Sequence, residues 1–387
     1  MNSLFIKALS IIFLLIFLSG CWSSRELTDF GFVMGVSLDQ TEEGSMEVNA
    51  QVYSPIETIG GSGGGDKPPY TNITTVNDSI FDAVRDLTKY LGREPQWSHM
   101  RVILIGEKFA KEHDIGEILD FFYRDHETRL TSIVIITKGK AADYWELKPF
   151  IERTMGQQLN TVQQMTAKIS GKTKKIMLLD IVMGLNSKLK TTMIPYIEKT
   201  DEKPEAPYSS GTVLISKGEM VDYLKADEVQ KVLMLTNKFN KGVIEFPCMN
   251  QEDKEKKKET LEALSVQTKI SPKFSDEPPT VHLLTKIDGK IGELKCTSIT
   301  NEEEVKKLEE RIGEKVKTEI EDTIKHLQEK KIDILGIGNK LYKQDPALWK
   351  EWEKDWENIF AETKFVIDVE ANIQSTGMVL GEKVTEE

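Results

Sequence analysis

The sequence predicts a multidomain α+β protein in which mixed β-sheets pack against helices and long amphipathic helices occupy the carboxyl-terminal half. Three observations carry that expectation. Between Phe30 and Ile197, short β-rich runs alternate with helix-periodic segments. Further on, Val305, Leu308, Ile312, Val316, Ile320, Ile324 and Leu327 recur every three or four positions, the signature of a long helix with one buried face. The chain has 387 residues, more than one hydrophobic core usually organises.

In order, Phe30 to Leu38 is mostly apolar, and Met46, Val48, Ala50 and Val52 then alternate with polar neighbours, predicting two strands joined across Glu43-Gly44. Gly60-Gly61-Ser62-Gly63-Gly64-Gly65, leading into Pro68-Pro69, has too few apolar residues to pack and reads as a loop. Asn77 or Asp78 caps a helix carrying Ile80, Val84, Leu87 and Leu91 on one side. Strand Val102 to Ile105, a helix around Ile115 to Phe122, and strand Thr131 to Thr137 follow. Helical patterns extend from Ala141 to about Lys188, and strand Met193 to Ile197 closes the region. Thr200 to Pro207, charged and without apolar periodicity, reads as a boundary.

Beyond it, Thr212 to Ser216 and Met220 to Leu224 form a hairpin turning at Lys217-Gly218, followed by a helix over 226–238 and strand Val243 to Phe246. Gln251 to Glu259 has no apolar residue and reads as a solvated turn or helix start. Asp288-Gly289 gives a strong hairpin signal between Val281 to Ile287 and Lys290 to Cys296. Asn301 caps the long helix, with Glu304 placed for a variant capping box. A final helix presents Trp349, Trp352, Trp356 and Phe360 on one side, and an alternating strand runs from Phe365 to Ile373. The division expected is 1–20 as a signal peptide, 21–200 as an amino-terminal region open to splitting into two subdomains, and 205–387 as a carboxyl-terminal α+β domain.

The first twenty residues have one basic residue, Lys7, and an apolar run from Ala8 to Leu18, the anatomy of a signal peptide. The run falls short of the ~20 residues that span a bilayer. Leu18-Ser19-Gly20-Cys21 reads as a lipobox, in which small residues admit the peptidase and the Cys21 thiol takes a diacylglycerol. Each buried CH₂ contributes about 0.8 kcal/mol and two or more chains anchor stably, so residues 22 onward are expected outside the cytoplasm.

The composition, 39% hydrophobic and 29% charged, is that of a soluble ectodomain. The formal net charge is −12, and loss of Lys7 with the signal peptide makes it −13. Such a chain is a poor partner for nucleic acid. Its lysines are interleaved with glutamates, so lipid on Cys21 must supply the membrane affinity. Cys248 and Cys296 remain, and either a bridge or two buried thiols fits the sequence; a chain this long can build a core without a bridge. Neither has a neighbouring Cys or His at zinc-ligand spacing.

Gly60-Gly61-Ser62-Gly63-Gly64 matches the nucleophile-elbow pattern but lacks the strand before it and the helix after it. Asp66-Lys67 stands where a phosphate loop needs Lys-Ser or Lys-Thr. No pair among His99, His113, His126, His282 and His326 has the i, i+4 spacing of a helical metal site. Arg124-Asp125-His126-Glu127-Thr128-Arg129 is chemically dense, but a salt-linked turn explains it better than a catalytic cluster. The tryptophan stripe reads as core ahead of ligand grip. No catalytic, cofactor-binding or metal-ligating residue, and no cofactor, is expected.

Gly20-Cys21-Trp22 leading to Arg25-Glu26-Leu27 and Phe32-Val33-Met34-Gly35-Val36-Ser37-Leu38-Asp39 resembles the amino-terminal signature of the Ger(x)C family, the lipoprotein C subunits of spore nutrient germinant receptors. Ser98-His99-Met100-Arg101 with Ile103-Leu104-Ile105-Gly106-Glu107, and Phe121-Phe122-Tyr123-Arg124-Asp125, are similar to it as well. Asp333-Ile334-Leu335-Gly336-Ile337-Gly338 with Tyr342, Pro346, Trp349 and Trp356 looks like the family's carboxyl-terminal domain. Ser23-Ser24 departs from the acidic residue more usual after Trp22. The resemblance implies a subunit without catalysis on the outer face of the cell membrane, in the spore the inner membrane, beside two integral-membrane subunits. It supplies no ligand-binding residue, so Cys21 is the one site residue assigned. The competing expectations are a solute-binding lipoprotein delivering a nutrient to a transporter, which requires two similar lobes, and a surface hydrolase, which requires a nucleophile or metal constellation that the sequence lacks.

Overall fold

The computed structural model describes residues 26–53, 68–248 and 257–375, together with Phe5. Cys21 and the glycine tract at 60–65 lie outside the described residues. Strands β1 (Phe30–Gln40) and β2 (Met46–Tyr53) form the hairpin read from the sequence, with Gly44 at φ +94° in its turn. Then come β3 (Tyr70–Asn77), α1 (Ile80–Leu91), β4 (Glu94–Gln96), β5 (Val102–Gly106), α2 (Glu107–Glu112), α3 (Ile115–Arg124) and β6 (Ile133–Thr137). Helices α4 (Met155–Ile169) and α5 (Leu178–Leu185) precede β7 (Thr191–Lys199), β8 (Pro207–Ser216) and β9 (Glu219–Lys225).

These strands make one sheet in the order β3-β2-β1-β5-β6-β7-β8-β9, with β4 alongside the start of β1. Its centre, β1-β5-β6-β7, is parallel, and antiparallel hairpins extend both ends. Both faces of the centre are covered, which is why β5 and β6 are apolar at successive positions and wholly buried. Ile103, Ile105, Val134 and Ile136 pack on one face with residues of α1, α2, α3 and α5. Val102, Leu104, Ile133 and Ile135 pack on the other with Tyr144, Trp145, Met155 and Leu159.

The second unit comprises α6 (Ala226–Leu235), β10 (Gly242–Pro247), β11 (Lys258–Lys273), β12 (Thr280–Glu293), α7 (Glu302–Glu329), α8 (Ile337–Gln344), α9 (Pro346–Trp352), α10 (Trp356–Glu362) and β13 (Lys364–Ser375). Its sheet runs β10-β11-β12-β13, with β13 parallel to β12. Helix α7 starts at the expected cap, Asn301 accepting from Glu304 N (3.0 Å), and Glu304 reaches back to Thr300 N. It buries Leu308, Ile312, Val316, Ile320, Ile324 and Leu327. At Gly313 the helix comes so close to β13 that a Cβ would lie 3.0 Å from the Val369 carbonyl oxygen. Leu189, just before β7, and Met193, Leu214 and Leu224 of the first sheet join the same core, so the two units share apolar packing. The architecture is α+β and multidomain, as the sequence predicts.

Several local expectations are corrected. Asp288-Gly289 is not a turn: β12 runs straight through it, paired with β11 on one side and β13 on the other. Gly289 is there for close approach, since a Cβ would meet the Glu262 carbonyl oxygen and Leu261 Cδ2 at 2.8 Å. The segment 251–256 lies outside the described residues, but Glu259, read as part of a solvated run, is fully buried. The helical patterns expected from Ala141 to about Lys188 resolve into a 3-10 turn, Ala142–Glu146, and two separate helices, α4 and α5. The tryptophan stripe spans two short helices broken at Glu353–Asp355. Helix α1 is capped by Ser79, which accepts from Asp82 N, in place of Asn77 or Asp78. The segment 200–206 is the turn between β7 and β8, so the first sheet continues to Lys225.

Candidate functional site

The dense stretch from Arg124 ends α3. Tyr123 Oη donates to Asp120 Oδ1 (2.6 Å), Arg124 Nε pairs with the same carboxylate (2.7 Å), and Asp125 accepts from Glu127 N (2.8 Å). These contacts stabilise the end of a helix. Among the described residues, one group of three metal-capable side chains converges: Cys248, Glu259 and Cys296. Both thiols are consumed in a Cys248–Cys296 disulfide with Cα atoms 5.9 Å apart, so the structure decides the open pairing in favour of the bridge.

Glu259 explains why the bridge sits where it does. Its Oε1 accepts the backbone N–H groups of Lys295, Cys296 and Thr297 at 3.0, 3.0 and 2.8 Å. Its Oε2 accepts Thr297 Oγ1 and Arg311 Nη2, each at 2.7 Å. Burial alone would raise the carboxyl pKa, but these donors outweigh it and hold the group below its ordinary value. The Arg311 guanidinium also lies over the Phe246 ring, 5.1 Å from its centroid. The carboxylate thus fastens the β12–α7 connection to β11 and keeps Cys296 against Cys248.

The Asp333-Ile334-Leu335-Gly336-Ile337-Gly338 motif caps α8. Asp333 is buried, and its two oxygens accept Gly336 N (2.8 Å), Ile337 N (3.1 Å), Gly338 N (2.7 Å) and Trp356 Nε1 (3.2 Å). Burial is the larger effect there and pushes this carboxyl above its usual range. Gly336 takes φ +79°, which glycine adopts without a Cβ penalty. A Cβ on Gly338 would meet Leu189 Cδ2 at 2.7 Å and Trp349 and Trp356 at 2.8 Å. The motif and the buried Trp349 and Trp356 are therefore one packing unit, pressed on Leu189 in the bend before β7.

Polar contacts tie the two units at the same junction. His326 on α7 places Nε2 2.8 Å from Asp222 Oδ2 on β9 and Nδ1 2.5 Å from Glu228 Oε1 at the start of α6. Carboxylates at both ring nitrogens require both to donate, so the ring is an imidazolium. Burial pulls its pKa down, and the hydrogen bonds to Glu228 and Asp222 outweigh that and hold it above its usual value. Lys330 adds a 3.0 Å contact to Asp222, Lys217 one of 2.6 Å to Glu357, and Thr191 Oγ1 donates to the Asp333 carbonyl oxygen (3.2 Å). Sequence reasoning missed these partners because each joins residues far apart in the chain. None of the described helices is long and apolar enough to cross a membrane.

Residues 23–199 match the family model described as "Spore germination protein N-terminal domain", and residues 210–377 the one described as "Spore germination B3/ GerAC like, C-terminal". The chain belongs to the Ger(x)C family of spore germination proteins. It is similar to Spore germination protein KC of Bacillus subtilis (strain 168), 26% identical over 94% of this chain and 93% of that protein. Spore germination protein B3 of the same organism is 28% identical over 95% and 96%. The crystal structure of the GerBC protein aligns with a TM-score of 0.55 over 91% of this chain and 100% of that one, at 22% identity, which bears on the fold alone. The family is not a known enzyme family.

Proposed function

We propose that the chain is the lipid-anchored, non-catalytic subunit of a nutrient germinant receptor. Lipid on Cys21 holds it on the outer face of the membrane, in the spore the inner membrane, where it works with two integral-membrane subunits. The observation that carries this reading is the lipobox ending at Cys21 immediately ahead of a full-length match to spore germination proteins. Thr28 and Asp29, close behind that cysteine, share a hollow with Arg85, Arg93 and His126, so the anchor brings this end of the molecule towards the bilayer. The regions 21–200 and 205–387 correspond to the two family-model matches, and β8 and β9 of the second region complete the first region's sheet before the second unit begins at α6.

A solute-binding lipoprotein would pair two similar lobes. Here the larger sheet is mixed with a parallel centre, and the smaller has four strands in a different order, which disfavours that alternative. The test is membrane fractionation of spores carrying Cys21→Ala. The expected result is loss of the protein from the inner-membrane fraction with the ectodomain still folded. Retention of the variant in that fraction after the two membrane subunits are also deleted would contradict the anchoring role.

A further inference from the structure

A cavity of about 570 Å³ lies between the two units, bounded by α5 and β7 on one side and by the end of α6, β11 and α8 on the other. Its size is that of a small-molecule site. In a chain of formal net charge −12, four lysines line it: Lys174, Lys238, Lys340 and Lys343. Lys174 and Lys238 line the same cavity, and like charges gathered there repel one another in the absence of a counter-charge. Burial and then the neighbouring Lys238 push the Lys174 ammonium below its ordinary pKa.

The carboxylates at the cavity do not neutralise this charge. Asp180 accepts Met177 N (2.9 Å) and reaches Lys174 only at 3.9 Å, and Asp333 is spent on Gly336, Ile337, Gly338 and Trp356. Among the described residues, Lys238, Lys340 and Lys343 form no ion pair with a carboxylate. Elsewhere among the described residues, ion pairs between the units are matched: His326 and Lys330 with Asp222, Lys217 with Glu357, and Lys172 with Asp227. Asn339 offers a side-chain amide at the same wall.

The geometry points to a binding site for a small soluble oxyanion bearing two or more negative charges, a phosphate or a polycarboxylate, held between the units by Lys174, Lys238, Lys340 and Lys343. Ammonium groups are compact donors that suit either chemistry. Because the lysines come from both units, occupancy stabilises their present arrangement, and this holds independently of how the chain is anchored.

The test uses the detergent-solubilised full chain and two probes, inorganic pyrophosphate and tricarballylate, each titrated calorimetrically at low ionic strength against sodium chloride of matched ionic strength. The expected result is saturable binding of at least one probe, tighter than about 1 mM. Lys174→Gln/Lys238→Gln and Lys340→Gln/Lys343→Gln should each weaken it about tenfold or more, with tryptophan fluorescence unchanged. Which probe binds assigns the phosphate or carboxylate class. Three outcomes overturn the proposal: no saturable heat with either probe, binding that survives both double substitutions, or lysine-dependent flotation with phosphatidylglycerol vesicles without binding of the soluble probes.

Discussion

Removing the Glu259 carboxylate should unfasten the second unit more than removing its cationic partner. Glu259→Ala strands three backbone N–H groups, Lys295, Cys296 and Thr297, and leaves Arg311 without the carboxylate it contacts at 2.7 Å. Breaking a buried ion pair from one side costs about 3–5 kcal/mol. Water entering the vacated space offsets part of the stranded N–H cost, so about 4 kcal/mol is expected. Arg311→Met leaves the carboxylate its three backbone donors and Thr297 Oγ1, and a lost hydrogen bond to a charged group costs about 1.5–3 kcal/mol. The arginine's aliphatic stem, replaced by methionine, keeps its packing near Phe246. Urea unfolding followed by tryptophan fluorescence reads the difference, because Trp349 and Trp356 are buried in the core of that unit. The reasoning is refuted if Glu259→Ala falls within about 1 kcal/mol of the parent chain, or if Arg311→Met costs the more.

Two further predictions concern the same unit and its junction. Reducing the bridge or making Cys248→Ser/Cys296→Ser releases a loop with sequence separation 48, and the chain-entropy relation gives about 4 kcal/mol of lost stability, read as a lower urea midpoint for that unit. His326 has a folded pKa above its unfolded value of ~6.5, so its contribution is full below that pH and fades as pH rises through the folded pKa. The stability difference between the parent and His326→Gln should therefore shrink on going from acidic to alkaline conditions, and a difference that grows with pH would contradict the imidazolium clasp.

What the sequence made legible follows from how local each signal is. The period-2 run Met46–Val52 and the 3.6-period run Val305–Leu327 face one core each, so pattern and fold coincide. Strand β11 escaped notice because a bulge between Ala263 and Ser265 shifts its alternation: Leu261 and Ala263 are buried in one phase, Val266 and Thr268 in the other. Strand β3 is an edge strand of mostly polar residues with one buried position, Thr75, and so lacks an apolar signal. Asp288-Gly289 carries the chemistry of a turn, yet pairing with strands on both sides overrides that local preference. For the candidate site, Asp333 and the tryptophans were visible as a motif, but their union through Trp356 Nε1 and Gly338 depends on a chain reversal that spacing does not encode. The His326 and Glu259 clasps are legible only in three dimensions, since their partners lie 98 to 104 and 36 to 52 positions away.

The most direct test of the receptor assignment is the germination of spores lacking this one gene, measured nutrient by nutrient beside a trigger that bypasses nutrient receptors. The account predicts that the response to one class of nutrient is lost, that the bypass trigger still works, and that the gene restored with Cys21 intact recovers the response. Unchanged germination with every nutrient, in spores also lacking the related C-subunit genes, would contradict it.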